Sequence, residues 1–141
     1  MKPDQLQIGD WVRLRKKDYL TKEEVVKDFK VGQLRYISWE GRGEEMYVGD
    51  DHQNMGYVEK IEPIPLTAEI LKKSGLGQDG NFGLYDEYFD LTIEEVSDGI
   101  WVFKYECTEM AGIPFTQTTV SFVHELQQEL RKHCIDVEIV L

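Results

Sequence analysis

"IEPIPLTAEILKKSGL", Ile61 to Leu76, sets two prolines two residues apart directly before a strongly marked helix start. Thr67 has the N-cap chemistry, and Leu66 and Leu71 stand at the positions of a hydrophobic staple. Ile70 and Leu71 supply the apolar stripe. Gly75 falls where a helix ends in a left-handed residue, with Leu76 free to fold back on the last turn. Pro63 and Pro65 lack backbone donors and push the residues before them into extended geometry. Their spacing is not the P-x-x-P of groove-binding ligands. The stretch therefore reads as a stiff joint of strand, extended Pro-Ile-Pro and helix, and it divides the chain into residues 1–64 and 65–141.

The two sides of that joint differ in charge. Residues 1–64 hold eleven Lys/Arg against thirteen Asp/Glu, a net of −2. Residues 65–141 hold five against fourteen, a net of −9, which completes the chain's −11. An excess of that size repels a phosphate backbone over most of the second part. Basic residues gather only between Arg13 and Arg35, eight against four acidic ones. A hydrophobic fraction of 41% with 30% charged residues is an ordinary folded balance. No apolar run reaches the roughly 20 residues of a membrane span, and "MKPDQLQIGD" has no apolar core of a secretory signal. The two cysteines, Cys107 and Cys134, form no C-x-x-C pair and suit a reducing cytoplasm; they can pair only if the fold brings them together. The expectation is a cytoplasmic protein.

Upstream of the joint, Gly9-Asp10 opens a strand in which Trp11, Arg13 and Arg15 alternate with Val12 and Leu14. "LTKEEVVKDF", 20–29, predicts a short helix, with Thr21 and Glu24 as a capping box and Leu20 and Val25 as a staple. "VGQLRYISWEG" resumes as strand, "GRGEEMYVGDD" gives a third, and "QNMGYVEKIEPI" a fourth and a fifth. Short strands at this density suggest a small barrel. "IGDWVRL", "VGQLRYI", "MYV" and "GYVEKIEPI" in that order resemble an SH3-like barrel, with the predicted helix as an insertion between its first two strands.

Downstream, "GLGQDGNFG" reads as a glycine-rich turn region; it lacks the Lys-Ser/Thr ending of a phosphate loop. "FDLTIEEVSDGIWVFKYEC", 89–107, is a hairpin. A two-residue Asp98-Gly99 turn sets Glu94 opposite Phe103 and mixes the faces. A three-residue loop, Ser97-Asp98-Gly99, sets Ile93 opposite Phe103 and Leu91 opposite Tyr105, and separates them. Residues 113–119 can add a third strand. A long helix follows over about 120–134, and "IDVEIVL" reads as a closing strand. The fold class is thus α+β: a small SH3-like β-barrel, then a helix, a hairpin and a long C-terminal helix. On the wheel of that last helix Gln127 falls inside the apolar arc, which predicts a buried, hydrogen-bonded structural residue, whereas His124 falls at its edge, partly exposed.

Pro63, Pro65, Leu66 and Thr67, then Phe122, Val123, His124, Leu126 and Gln127, resemble a group of small uncharacterised proteins from anaerobic gut bacteria and their phages. In that group a Pro-x-Pro-Leu-Thr helix start precedes a hairpin and a Tyr/Phe-Val-His-x-Leu-Gln helix. The likeness covers about 61–134. It departs at "RKHC", where the group's pattern has a Thr-Gly stop. The resemblance implies lineage and a cytoplasmic setting, and no activity.

Catalytic, cofactor and metal patterns do not emerge. Asp50, Asp51 and His52 are adjacent on a turn and read as solvated residues. Glu44-Glu45 and Glu94-Glu95 are neighbours on strands and point to opposite faces, so neither pair can act as acid and base. His133 and Cys134 are sequence neighbours, not a nucleophile–base pair. The functional expectation is a non-enzymatic, protein-binding interaction module with no cofactor and no membrane partner, phage- or mobile-element-borne. The alternative is nucleic-acid binding through segment 13–35. Candidate contact residues are Arg13, Arg15, Lys16 and Lys17, with Tyr19, Tyr36 and Trp39 available for stacking. Thr67 and Gln127 are assigned structural roles.

Overall fold

The computed structural model describes residues 5–39, 43–49, 55–57, 61–78, 80–107 and 115–141, with backbone alone for 35–39, 43–48 and 55–57. Two compact units make up the chain, Met1–Ile64 and Pro65–Leu141. Among the described residues the architecture is mixed α+β, mostly sheet with two helices.

In the first unit the alternation at Trp11–Lys17 (β1) places Val12 and Leu14 in the core. The predicted helix over 20–29 is instead a strand, Glu24–Lys30 (β2), antiparallel to β1 with Val12 opposite Phe29 and Arg13 opposite Asp28. Two physical causes override the helical signal. Asp18 captures the N–H groups of Leu20 and Thr21, so Thr21 serves a turn and not a cap. Strand pairing also gives Phe29 a core position, 3% exposed, where an isolated helix of this length is marginal in water. Gln33–Trp39 (β3), Gly43–Gly49 (β4) and Met55–Tyr57 (β5) form a three-stranded sheet in that order. Ile61–Glu62 (β6) returns to pair with β1, giving a second sheet ordered β2-β1-β6. Among the described residues these sheets do not close into one hydrogen-bonded barrel. Leu6, Val12, Leu14, Phe29, Val31 and Ile61 form the core here.

In the second unit the joint folds as its residues dictate. Thr67 caps Ala68–Lys73 (α1), its hydroxyl accepting from the Ile70 N–H at 3.3 Å. Gly75 takes a φ of +77°, the Gly75 N–H donates to the Lys72 carbonyl, and the Leu76 N–H donates to that of Leu71. This is a Schellman stop, and it leaves Leu71 and Leu76 fully buried. Pro65 pairs with Phe122 as a bridge, and the Leu66 N–H donates to the Ser121 carbonyl. Pro65 and Leu66 are therefore held by backbone pairing within the second unit.

The glycine-rich stretch is a small hairpin, Gly77–Gln78 (β7) against Asn81–Tyr85 (β8). With Phe89–Ser97 (β9), Ile100–Cys107 (β10) and Thr116–Val120 (β11) it completes a five-stranded antiparallel sheet ordered β11-β10-β9-β8-β7. The predicted facing pairs Ile93–Phe103 and Leu91–Tyr105 form, but by another route: the turn is Asp98-Gly99, and a bulge beside Ile100 absorbs the extra residue. Leu91, Ile93, Trp101 and Phe103 line the buried face, while Thr92, Glu94 and Lys104 alternate outward.

Val123–Lys132 (α2) buries Val123, Leu126, Gln127 and Leu130, and its C-cap residue His133 stacks beside Phe103 of that face. Glu125 reaches back to accept from the N–H groups of Ser121 and Phe122, half of a capping box. Residues 135–141 form no strand, contrary to the alternation of "IDVEIVL". Ile135 and Ile139 are buried as that pattern requires, but the Val140 N–H is taken by the hydroxyl of Ser74 at 2.9 Å, which itself donates to the Ile70 carbonyl. The C-cap side chain of α1 thus takes one backbone N–H of this segment.

Candidate functional site

Of the candidate contact residues, Arg13, Arg15, Lys16, Lys17 and Tyr19 lie on one element, the β1–β2 hairpin. The side chains of Tyr36 and Trp39, and Asp50, Asp51 and His52, lie outside the described residues. The hairpin separates its candidates into two groups.

Along the strands the arginines are occupied. Arg13 grips Asp28 through two bonds, Nε–Oδ1 at 2.8 Å and Nη2–Oδ2 at 3.2 Å. Arg15 bridges Glu24 at 2.7 Å and Glu62 at 2.9 Å, one carboxylate from each flanking strand. Hydrogen bonds to those carboxylates raise both guanidinium pKa values further above their ordinary range, Arg13 through Asp28 and Arg15 through Glu24 and then Glu62. These pairs stitch the sheet in register and neutralise Arg13 and Arg15.

At the tip the situation reverses. Asp18 organises the turn: its Oδ1 accepts from Leu20 and Thr21, its N–H donates to the Glu23 carbonyl, and its carbonyl accepts from Lys22. The Thr21 hydroxyl accepts from the Glu23 N–H, and Lys22 takes the left-handed φ of 58° that closes the loop. The two turn N–H groups hold the Asp18 carboxyl below its usual pKa. So ordered, the turn carries Tyr19 at 94% and Leu20 at 87% exposure. Lys16, Lys17 and Lys22 flank them, all exposed, and none makes an ion pair among the described residues. A turn built this tightly spends its polar groups on itself and offers water an aromatic and an aliphatic side chain. Sequence reading assigned Leu20 to a helix staple and so missed it; the Asp18-to-Thr21 spacing of an Asx turn is the signal that finds it.

A second cluster stands in the other unit. The His133 ring stacks on Tyr105, centroids 4.1 Å apart, and beside Phe103 at 5.8 Å; Phe89 stacks on Tyr105 at 5.6 Å. His133 Nε2 and Glu129 Oε2 are buried and face one another at 3.8 Å, too far for a hydrogen bond. Desolvation lowers the His133 pKa, Glu129 opposes the shift and Lys132 adds to it. Burial raises that of Tyr105, with smaller contributions from Cys107, Asp86 and Cys134. His124 is 6% exposed, not partly exposed as its wheel position predicts; Phe122 lies parallel against it at 6.0 Å and closes the edge the wheel leaves open. Gln127 is 8% exposed, inside the apolar arc. Among the described residues no group of three or more His, Cys, Asp or Glu side chains gathers to hold a metal ion, and no helix is long and apolar enough to cross a membrane.

Comparison of the chain with protein-family models, with curated proteins and with solved structures gives no match.

Proposed function

We propose that the protein is a non-catalytic, protein-binding module whose contact element is the β1–β2 hairpin tip. The observation that carries this is the exposure of Tyr19 and Leu20 on a turn closed by its own hydrogen bonds. A pre-ordered tip loses little conformational freedom on docking, and an aromatic anchor with an aliphatic neighbour is the composition of an interface hot spot. Lys16, Lys17 and Lys22 around it favour a partner with an apolar recess rimmed by carboxylates. The reading keeps a cytoplasmic setting and a phage or mobile-element lineage, which the resemblance over 61–134 supports. It also keeps an SH3-like arrangement for residues 1–64, supported by strand order.

The test is site-directed photocrosslinking in extracts of the encoding organism, with the reactive group at Tyr19 and, as control, at the exposed Val96. The expected result is one protein captured from position 19 alone and lost when Leu20→Ala is added. Equal capture from both positions, or a Tyr19→Ala/Leu20→Ala variant that keeps the partner, would reject the assignment.

Nucleic-acid binding is favoured by one observation, the three tip lysines beside Tyr19. Against it, Arg13 and Arg15 are already paired with carboxylates. Duplex DNA is expected to bind no tighter than the non-specific range of about 10⁻⁴ M at physiological salt. A salt-sensitive gel shift at micromolar protein, abolished by Lys16→Glu/Lys17→Glu, would restore that reading.

A further inference from the structure

Cys107 and Cys134 are the chain's two cysteines, twenty-seven positions apart, and both are free thiols. Each adjoins a residue of one ring stack, Tyr105 with His133. Cys107 ends β10 two residues after Tyr105, so both project from the same face of the strand. Cys134 directly follows His133, whose ring lies on Tyr105 at 4.1 Å. Cys107 thus shares the strand face of that phenol ring, and Cys134 is the chain neighbour of the imidazole stacked on it. Cys107 is half-buried and Cys134 exposed, so a solvent-borne oxidant can reach them.

The helix stop adds a reason to look at Cys134. The Cys134 N–H donates to the Arg131 carbonyl and that of Ile135 to the Leu130 carbonyl, the same Schellman pattern that closes α1. In α1 the left-handed position is Gly75; in α2 it is Cys134, at a φ of +56°. Glycine is the residue that adopts this conformation without steric cost. An exposed cysteine there adds strain and no core packing, and the property it contributes in exchange is a thiol. A non-glycine residue in this region is grounds for a functional hypothesis.

We propose that Cys107 and Cys134 form a reversible disulfide that clasps the end of α2 to the end of β10 in response to a glutathione-class disulfide. The Cys134 thiolate attacks one sulfur of the oxidant, whose S–S bond breaks and releases one glutathione thiolate. The Cys107 thiolate then attacks the Cys134 sulfur of the mixed disulfide and expels the second glutathione. Two protein thiols are oxidised, one glutathione disulfide is reduced to two thiols, and the two cysteine protons end on those thiols. The bridge requires Cα atoms within about 7 Å. Both residues sit at the ends of their elements, where a small backbone adjustment disturbs few ladder or helix bonds.

The experiment equilibrates the full chain in glutathione buffers of increasing oxidised fraction, quenches with acid and measures intact mass and alkylatable thiols. The expected product is a monomer lighter by two hydrogens, with no alkylatable cysteine, restored by dithiothreitol. Cys107→Ser should stop at the mixed disulfide on Cys134, and the oxidised wild type should unfold at a higher urea midpoint than the reduced. Two glutathiones on one chain, disulfide-linked dimers alone, or two thiols still alkylatable in the most oxidising buffer would each overturn the proposal. The wild-type mass decides the question even where the serine variant does not fold.

Discussion

Trp101 is the side chain through which the joint is fastened to the sheet. It is 2% exposed, and its indole N–H donates to the Leu66 carbonyl at 3.1 Å across 35 residues of sequence. Leu66 lies at the N′ position of α1, so this one bond fixes where the helix begins relative to β10. Trp101→Phe removes the donor and part of the ring while keeping an aromatic surface for the edge-on contact with Phe82, now 5.9 Å between centroids. Two costs add. A buried carbonyl left without its donor costs about 1–3 kcal/mol. The volume lost from a close-packed site adds about 1 kcal/mol, well below a full aromatic-to-alanine change. The expected destabilisation is about 2–4 kcal/mol, read as a lower urea midpoint by far-UV circular dichroism with an unchanged slope. An isosteric benzothiophene side chain, which lacks the N–H and keeps the shape, should isolate the hydrogen-bond share at about 1–3 kcal/mol. If that isostere unfolds at the wild-type midpoint, the bond contributes nothing and the anchoring argument fails.

Gly83→Ala should prevent the second unit from folding or cost more than about 3 kcal/mol, because a Cβ there collides with the Leu91 carbonyl oxygen and φ is +152°; a normal thermal transition in this variant would contradict the β8–β9 pairing. Thr67→Ala should cost about 0.5–1 kcal/mol in urea unfolding, near the lower end for an N-cap because its bond is exposed and 3.3 Å long. His133 sets a pH dependence. Its native pKa lies below the ordinary value of 6.5, chiefly by desolvation, so the unfolded chain takes up the proton first. Stability should therefore be flat above that value and fall as the pH drops through it toward the lower native value. His133→Gln should flatten this part of the profile, and an identical slope in both proteins would show that the ring does not titrate as described.

The elements legible from sequence are those whose signals are local. Thr67, Leu66 and Leu71 announced a helix start, Gly75 its stop, and the alternation from Phe89 to Tyr105 the facing pairs of a hairpin; each is decided by residues within a turn or by a two-residue period. The candidate site was legible only in part. Tyr19 and the lysines were visible as a basic, aromatic stretch, but their presentation depends on Asp18, whose bonds to Leu20 and Thr21 defeat the helical reading of "LTKEE". Tertiary structure alone decided that 24–30 is a strand, because only β1 gives Phe29 a core and Asp28 and Glu24 arginine partners. It alone decided that 135–141 is not a strand: the Ser74 hydroxyl takes the Val140 N–H, and no strand among the described residues pairs with the segment. Meetings between residues far apart in sequence, such as Trp101 with Leu66 and His133 with Tyr105, leave no local signal, since the free energy that fixes them comes from burial shared across the whole unit.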